Sequence, residues 1–304
     1  MRISPQNSQL VLNALRLSDK AEQTALLQLT TGRRVNVASD DPAAAALEVN
    51  IAYQKDTCDQ FVRSISSVYS ELQTADSSLS SAVIALQRAI TLGVEGANST
   101  LSPQDRNTLA QEVSDISQQV LGVANLSFNG HYVFAGTADS QPPYVADGLG
   151  PGGVTYQGND NVNSVQIGVG QTIAVNQPGS QLFSAAGGNV FQSLNDLVNA
   201  LEDPASTTDD IGNATTEIRN AYDQLTSARA FYGSTIDQAL NNQDFLNNEK
   251  LQLSQQQNSV IGVDMNTAAT NLSNAEAARN ATVQAAAGLS NVTLMDYLSS
   301  IGAG

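Results

Sequence analysis

Few side chains in this sequence could do chemistry, and they are scattered. Asp40-Asp41 is a pair of adjacent carboxylates that could hold a divalent cation. Pro42 follows directly, so a helix N-cap at Asp41 with proline at the first helical position is the simpler reading. His131 follows a glycine and has no serine or cysteine nucleophile motif near it, which reads as a turn residue. Cys58 falls on an apolar stripe and reads as a small buried hydrophobe. The run Gly148-Leu149-Gly150-Pro151-Gly152-Gly153 resembles a phosphate cradle but lacks the Lys-Ser/Thr sequel, so a hairpin or flexible loop fits better. Gly158-Asn159-Asp160 resembles half of a calcium β-roll turn, in a single copy that reads as a polar turn. With one His and one Cys, neither a multi-His metal site nor an internal disulfide is possible. No catalytic residue, metal or cofactor is expected, and no enzyme.

Composition narrows the partners. Of 304 residues only 14% are charged, and 29 acidic against 13 basic side chains give a formal charge of −16. Nucleic acid is disfavoured, because displacing counterions from phosphates needs clustered Lys and Arg. An anionic membrane surface is disfavoured for the same reason. Acidity is concentrated between His131 and Ile218, which holds nine acidic residues and no Lys or Arg. Arg16, Asp19, Lys20 and Glu22 interrupt the first thirty residues, so no secretory h-region forms. No run approaches the roughly 18 apolar residues of a membrane span, and a soluble chain is expected.

The elements around these residues follow a helix–strand–helix order. Ile3, Leu10, Ala14, Leu17 and Ala21 recur at helical spacing, and Gly32 suits the left-handed end of that first helix. After Ser39-Asp40-Asp41-Pro42 a second helix runs unbroken from Ala43 to about Leu92. Its stripe is Leu47, Ile51, Cys58, Ile65, Leu72, Leu79, Val83, Leu86 and Ile90, with Gly93 and Gly96 at its end. Ser102, Pro103 and Asp105 repeat the capping logic for a third helix, which Asn129-Gly130 should stop. Residues 131–135, 154–157, 164–169 and 172–176 read as strands. Asn189 caps a helix with Phe191, Leu194, Leu197, Val198 and Leu201 on its face. Another long helix follows Asp209-Asp210, through Ile218, Leu225, Phe231, Ile236, Leu240 and Leu246 to Leu253. The last helix carries a small-residue seam of Ala268, Leu272, Ala275, Ala278, Thr282, Ala285, Leu289 and Val292. The two chain ends are both amphipathic and suit pairing with each other and with further copies.

The expected fold is mostly α with an inserted β domain, its long antiparallel helices forming a rod and its terminal helices pairing as a coiled coil. The expected divisions are 1–40 with 265–304 as a terminal assembly domain, 41–135 with 188–264 as a helical rod, and 136–187 as the β insert.

Several strings resemble the flagellin superfamily of bacterial flagellar axial proteins. They are Met1-Arg2-Ile3-Ser4, Leu29-Thr30-Thr31-Gly32-Arg33-Arg34-Val35-Asn36, Ala38-Ser39-Asp40-Asp41-Pro42-Ala43 and Leu101-Ser102-Pro103-Gln104-Asp105-Arg106. Phe128-Asn129-Gly130-His131-Tyr132-Val133-Phe134-Ala135-Gly136-Thr137 is more similar to the hook–filament junction branch than to filament subunits. So are Val154-Thr155-Tyr156-Gln157-Gly158-Asn159, Val165-Gln166-Ile167-Gly168 and the ending Leu294-Met295-Asp296-Tyr297-Leu298. Pro5, His131 and the tail Ser299–Gly304 depart from that pattern.

The resemblance implies an extracellular structural subunit of the flagellum, exported through the flagellar type III apparatus without a cleavable signal. It implies terminal helices that are poorly ordered in the free monomer and pair in the assembled axis. Its implied partners are further copies in a ring, hook-associated protein 1, flagellin, and an export chaperone at the C-terminal helices. Two alternatives stay open: a short flagellin, and a β binding module displayed on a helical stalk.

Overall fold

A computed structural model describes residues 5–185 and 187–301, with side chains described for 9–150, 152–185 and 187–288. The chain divides into two compact units. One holds the chain up to Thr57 together with everything from Glu249 onward, and the other is Cys58–Asn248.

Seven helices are described: α1 (Pro5–Thr31), α2 (Pro42–Gly96), α3 (Pro103–Ala124), α4 (Gly179–Leu182), α5 (Val190–Glu202), α6 (Thr208–Ile261) and α7 (Met265–Ile301). Local signals set their starts. Ser102 and Asp105 form a reciprocal capping box at α3. Asn189 accepts the Gln192 N–H at α5, 3.0 Å. Thr207 and Asp210 cap α6 in the same reciprocal way as α3.

The 55-residue α2 and the 54-residue α6 are far longer than ordinary globular helices, and a seven-residue repeat explains why they persist. In α2 the buried residues Ile51, Cys58, Ile65, Leu72, Leu79 and Leu86 recur every seven positions. Val68, Ala75, Ala82 and Ala89 form a second such series. In α6, Ile211, Ile218, Leu225, Tyr232, Ala239, Leu246 and Leu253 recur every seven, with Ala214, Ala221, Ala228 and Thr235 beside them. Such double series are the a and d seams of a left-handed coiled coil.

Within Cys58–Asn248 the two helices run antiparallel. Ser66 meets Gln243, Asp76 pairs with Arg229 at 2.9 Å, and Gly93 meets Thr215. An 18-residue window of α2 reaches mean hydropathy 1.2, long and apolar enough by composition to cross a membrane. That corrects the expectation of no such stretch, although 44% of the window is buried inside the fold.

Eight short strands form four separate antiparallel hairpins rather than one sheet. They are β1 (Ser127–Phe128) with β2 (His131–Tyr132), β3 (Tyr144–Ala146) with β4 (Val154–Tyr156), β5 (Ser164–Gly168) with β6 (Gln171–Ala174), and β7 (Ser184–Ala185) with β8 (Gly188–Asn189). Isolated hairpins are marginal in water, so something else must hold them. Around β3–β4 that is a cluster of five rings, whereas β5–β6 is tied by Asn163 to the Gly136 carbonyl and by Gln171 to Asn242. Phe134, Tyr144, Tyr156, Phe183 and Phe191 contact one another with centroids 5.0 to 6.2 Å apart.

Several expectations need correction. Asn129-Gly130 does not stop α3, which ends at Ala124. Both residues have positive φ, 51° and 86°, and they form the two-residue turn between β1 and β2. Gly93 lies inside α2, where it lets α6 approach, and only Gly96 marks the end. Leu47 (53%) and Leu240 (38%) are exposed, because the seven-residue seams pass beside them. The strand β3 was not legible from spacing.

Candidate assembly interface

Within the unit that holds the chain ends, α1 and α7 pack as an antiparallel pair. One groove between them is lined by Leu17, Ala21, Thr24 and Ala25 of α1 with Asn271, Asn274 and Ala275 of α7. A second, nearer the chain ends, is lined by Leu10, Val11 and Ala14 with Ala281, Thr282 and Ala285. Ascending numbers on α1 thus meet descending numbers on α7. Arg279, the only cation of α7 in the sequence, fixes the register by pairing with Asp19 at 2.9 Å and Glu22 at 3.4 Å.

The residues that spacing singled out fall as follows. Leu10 (66% exposed), Ala14, Leu17 (69%) and Ala21 border the grooves but remain open to solvent. The covered face of α1 is one position further on, at Val11, Leu15, Ser18, Glu22 and Ala25. A one-residue step turns a helix by about 100°, enough to separate the two stripes. On α7, Ala275 is buried and Leu272 and Thr282 are half-buried. Ile3 lies outside the described residues, as do the side chains of Leu289 and Val292. Spacing alone passes over the inner stripe because Ser18 and Glu22 interrupt its apolar character. The acidic pair Asp19 and Glu22, opposite one cation on α7, is the signal that points to it.

A braced loop joins α1 to α2. Gly32 takes φ 68° at the end of α1, and its N–H donates to the Gln28 carbonyl at 2.9 Å. Asp40 accepts the Asn36 and Val37 N–H groups at 3.0 and 3.1 Å, which hold its carboxyl below the ordinary carboxylate range. Asp41 caps α2 by accepting the Ala44 N–H at 3.0 Å. That bond and the Arg34 guanidinium lower its carboxyl too. Arg34 also donates to the Val260 carbonyl at 3.0 Å, and its N–H donates to the Ile261 carbonyl. Arg33 bridges Gly262 and pairs with Glu48. Val35, Ala44 and Ile261 make the small core underneath. Ser39 and Pro42 are exposed on the loop and at the helix start.

In Cys58–Asn248 two further motif blocks lock together. The Asn159 N–H donates to the Ala135 carbonyl at 3.1 Å, and Asn159 Oδ1 accepts the Thr137 N–H at 2.9 Å. The Tyr156 hydroxyl donates to the Phe134 carbonyl at 3.1 Å. Gly136 sits at φ 71°, where a Cβ would strike the Asn159 backbone. No group of three or more His, Cys, Asp or Glu that could hold a metal occurs among the described residues.

A family profile, the bacterial flagellin N-terminal helical region, matches residues 3–139, which span α1 to α3 and the first hairpin. Over that N-terminal stretch the chain is similar to bacterial flagellins. Flagellar hook-associated protein 3 of Salmonella typhimurium is 30% identical over 163 residues, 53% of this chain and 50% of that protein. Flagellar hook-associated protein 3 of Escherichia coli is 27% identical over 193 residues, 59% of each. The chain thus spans little more than half the length of these curated relatives. A solved structure, a putative flagellar hook-associated protein from Vibrio parahaemolyticus, has a similar fold, with a TM-score of 0.69. It is 20% identical, over 73% of this chain and 100% of that one.

Proposed function

We propose that this chain is a structural subunit of the bacterial flagellum that joins hook to filament. The observation that carries the proposal is its similarity to the two hook-associated protein 3 relatives, over 163 and 193 residues. The α1–α7 pair supports an assembly role. It leaves a row of apolar side chains, Leu10 and Leu17 foremost, facing solvent beside open grooves. In this reading the terminal helices of 1–40 and 265–304 assemble with further copies in a ring, between hook-associated protein 1 and flagellin. The chain reaches the cell exterior through the flagellar type III apparatus without a cleavable signal, held beforehand by a chaperone at its C-terminal helices. It has no catalytic role.

The match to the flagellin N-terminal region supports a second reading, a short filament subunit. One experiment separates the two. A strain lacking this chain is imaged and its medium assayed for flagellin. A junction subunit leaves hooks without filaments and releases flagellin into the medium. Filaments of normal length reject the junction role, and this chain found along the whole filament supports the second reading.

A further inference from the structure

Two stretches of chain connect the α1–α7 pair to the other long helices. Residues 32–41 lead from α1 to α2, and residues 262–264 lead from α6 to α7. Left unbonded, two such connections would let the pair swing on the helix ends, since each residue brings two soft dihedrals. They are instead bonded to each other. The Arg34 N–H donates to the Ile261 carbonyl at 2.6 Å, and the Val263 N–H donates to the Gly32 carbonyl at 3.1 Å. Between them Arg33 bridges Gly262 in antiparallel pairing.

Arg34 lies at the centre of this crossing. Its Nη2 donates to Asp41 Oδ2 at 3.1 Å, on the cap of α2, and to the Val260 carbonyl at 3.0 Å, in the last turn of α6. Its own carbonyl accepts from Gln28 Nε2 of α1 at 3.0 Å. One residue thus touches the ends of three helices, and the nearby Gly32 carbonyl holds the lead into the fourth. The charges suit those ends. A helix C-terminus favours a cation and an N-terminus an anion, so Arg34 at the end of α6 and Asp41 at the start of α2 each meet the favourable pole. The last carbonyls of α6 also lack partners within their own helix, and Arg34 supplies two donors to them. Val35, Ala44 and Ile261 pack beneath.

We infer that residues 32–34 and 260–263 form a fixed joint, with Arg34 as its positioning residue. The joint sets the direction of the α1–α7 pair on the first turns of α2 and the last turns of α6. The Arg34 side chain is 48% exposed, so its ion pair adds little to stability. What it contributes is geometry, because one planar group holds a carboxylate and a carbonyl at once. A lysine keeps the charge but not the planar fork. Under the assembly role proposed above, on which this consequence rests, the joint fixes where the exposed Leu10 and Leu17 point.

Spin labels on the full chain test the joint. The buried Cys58 is replaced by alanine, and labels are attached at Leu17→Cys on α1 and Val49→Cys on α2, both largely exposed positions. The distance distribution between the labels should be narrow with Arg34 present and broad in Arg34→Gln. Arg34→Lys should not restore the narrow distribution. Exchange of the Val263 amide should quicken about fivefold in Arg34→Gln, as loss of hydrogen bonds to a charged group allows, while the thermal midpoint hardly moves. A broad distribution with Arg34 present, or an equally narrow one in Arg34→Gln, overturns the joint. Both measurements use the free chain, so they stand or fall separately from the junction role, which the deletion strain tests.

Discussion

Gly93 of α2 lies directly against Thr215 of α6, and a Cβ at Gly93 would collide with the Thr215 hydroxyl. That hydroxyl cannot swing away freely, because it donates to the Ile211 carbonyl at 2.7 Å. Gly93→Ala should therefore destabilise Cys58–Asn248 by about 1–3 kcal/mol, despite the better helix propensity of alanine. Adding Thr215→Ala should recover much of the loss. Thermal unfolding of the two single variants and the double variant measures the coupling.

Asn125 stands in for a missing strand beside β3. Its Oδ1 accepts the Tyr144 N–H at 2.9 Å and its Nδ2 donates to the Tyr144 carbonyl at 2.8 Å. Asn125→Asp keeps the acceptor and loses the donor, leaving a part-buried carbonyl unsatisfied. A loss of about 1–3 kcal/mol is expected from chemical denaturation, with near-ultraviolet circular dichroism reporting looser packing around the Tyr144 ring.

Asp41 has two duties that substitution can separate. Asp41→Asn keeps a capping oxygen for Ala44 and removes the charge that meets Arg34. Asp41→Ala removes both. The alanine variant should lose stability measurably and the asparagine variant only a fraction as much, by denaturant titration.

Leu17 is 69% exposed, so Leu17→Asp should change stability by no more than about 0.5 kcal/mol. If its face meets further copies, the same variant should fail to support filament growth. Circular dichroism of the purified chain and motility of the complemented strain give the two readings. Full motility would remove Leu17 from the interface.

Carboxyls of opposite behaviour set the acid response. Asp40, Asp41, Asp147 and Asp210 are all lowered, by N–H groups of Asn36, Ala44 and Leu149 in the first three and by the Thr207 hydroxyl in the last. A lowered folded value means the stabilisation is whole above the unfolded value of 3.8 and is lost as pH falls through the folded one. Glu71 is raised by burial, so its contribution is whole below 4.5 and is lost as pH rises through the folded value. The unfolding midpoint should drop below about pH 4. Glu71→Gln should raise it near pH 8 and leave it unchanged near pH 4.

Local chemistry made much of this protein legible before any fold was known. The caps at Asp41, Ser102 and Asn189 need only residues within three positions, and the Gly32 turn needs only a residue without Cβ. The helical spacing through α2 was visible for the same reason, since each turn reports its own covered face. Asn129-Gly130 was equally local and carried a hairpin signal that the reading as a helix stop overlooked. The remaining features depend on residues far apart along the chain. Gly93 is a contact glycine only because Thr215 arrives opposite it. The β3–β4 hairpin holds because five rings, from Phe134 to Phe191, converge on one cluster. The covered stripe of α1 is chosen by Arg279, more than 250 positions away, and not by the hydrophobicity of α1 itself. Packing sets the phase of a helix wherever two stripes of similar apolar character compete, because burial energy follows contact area rather than residue order.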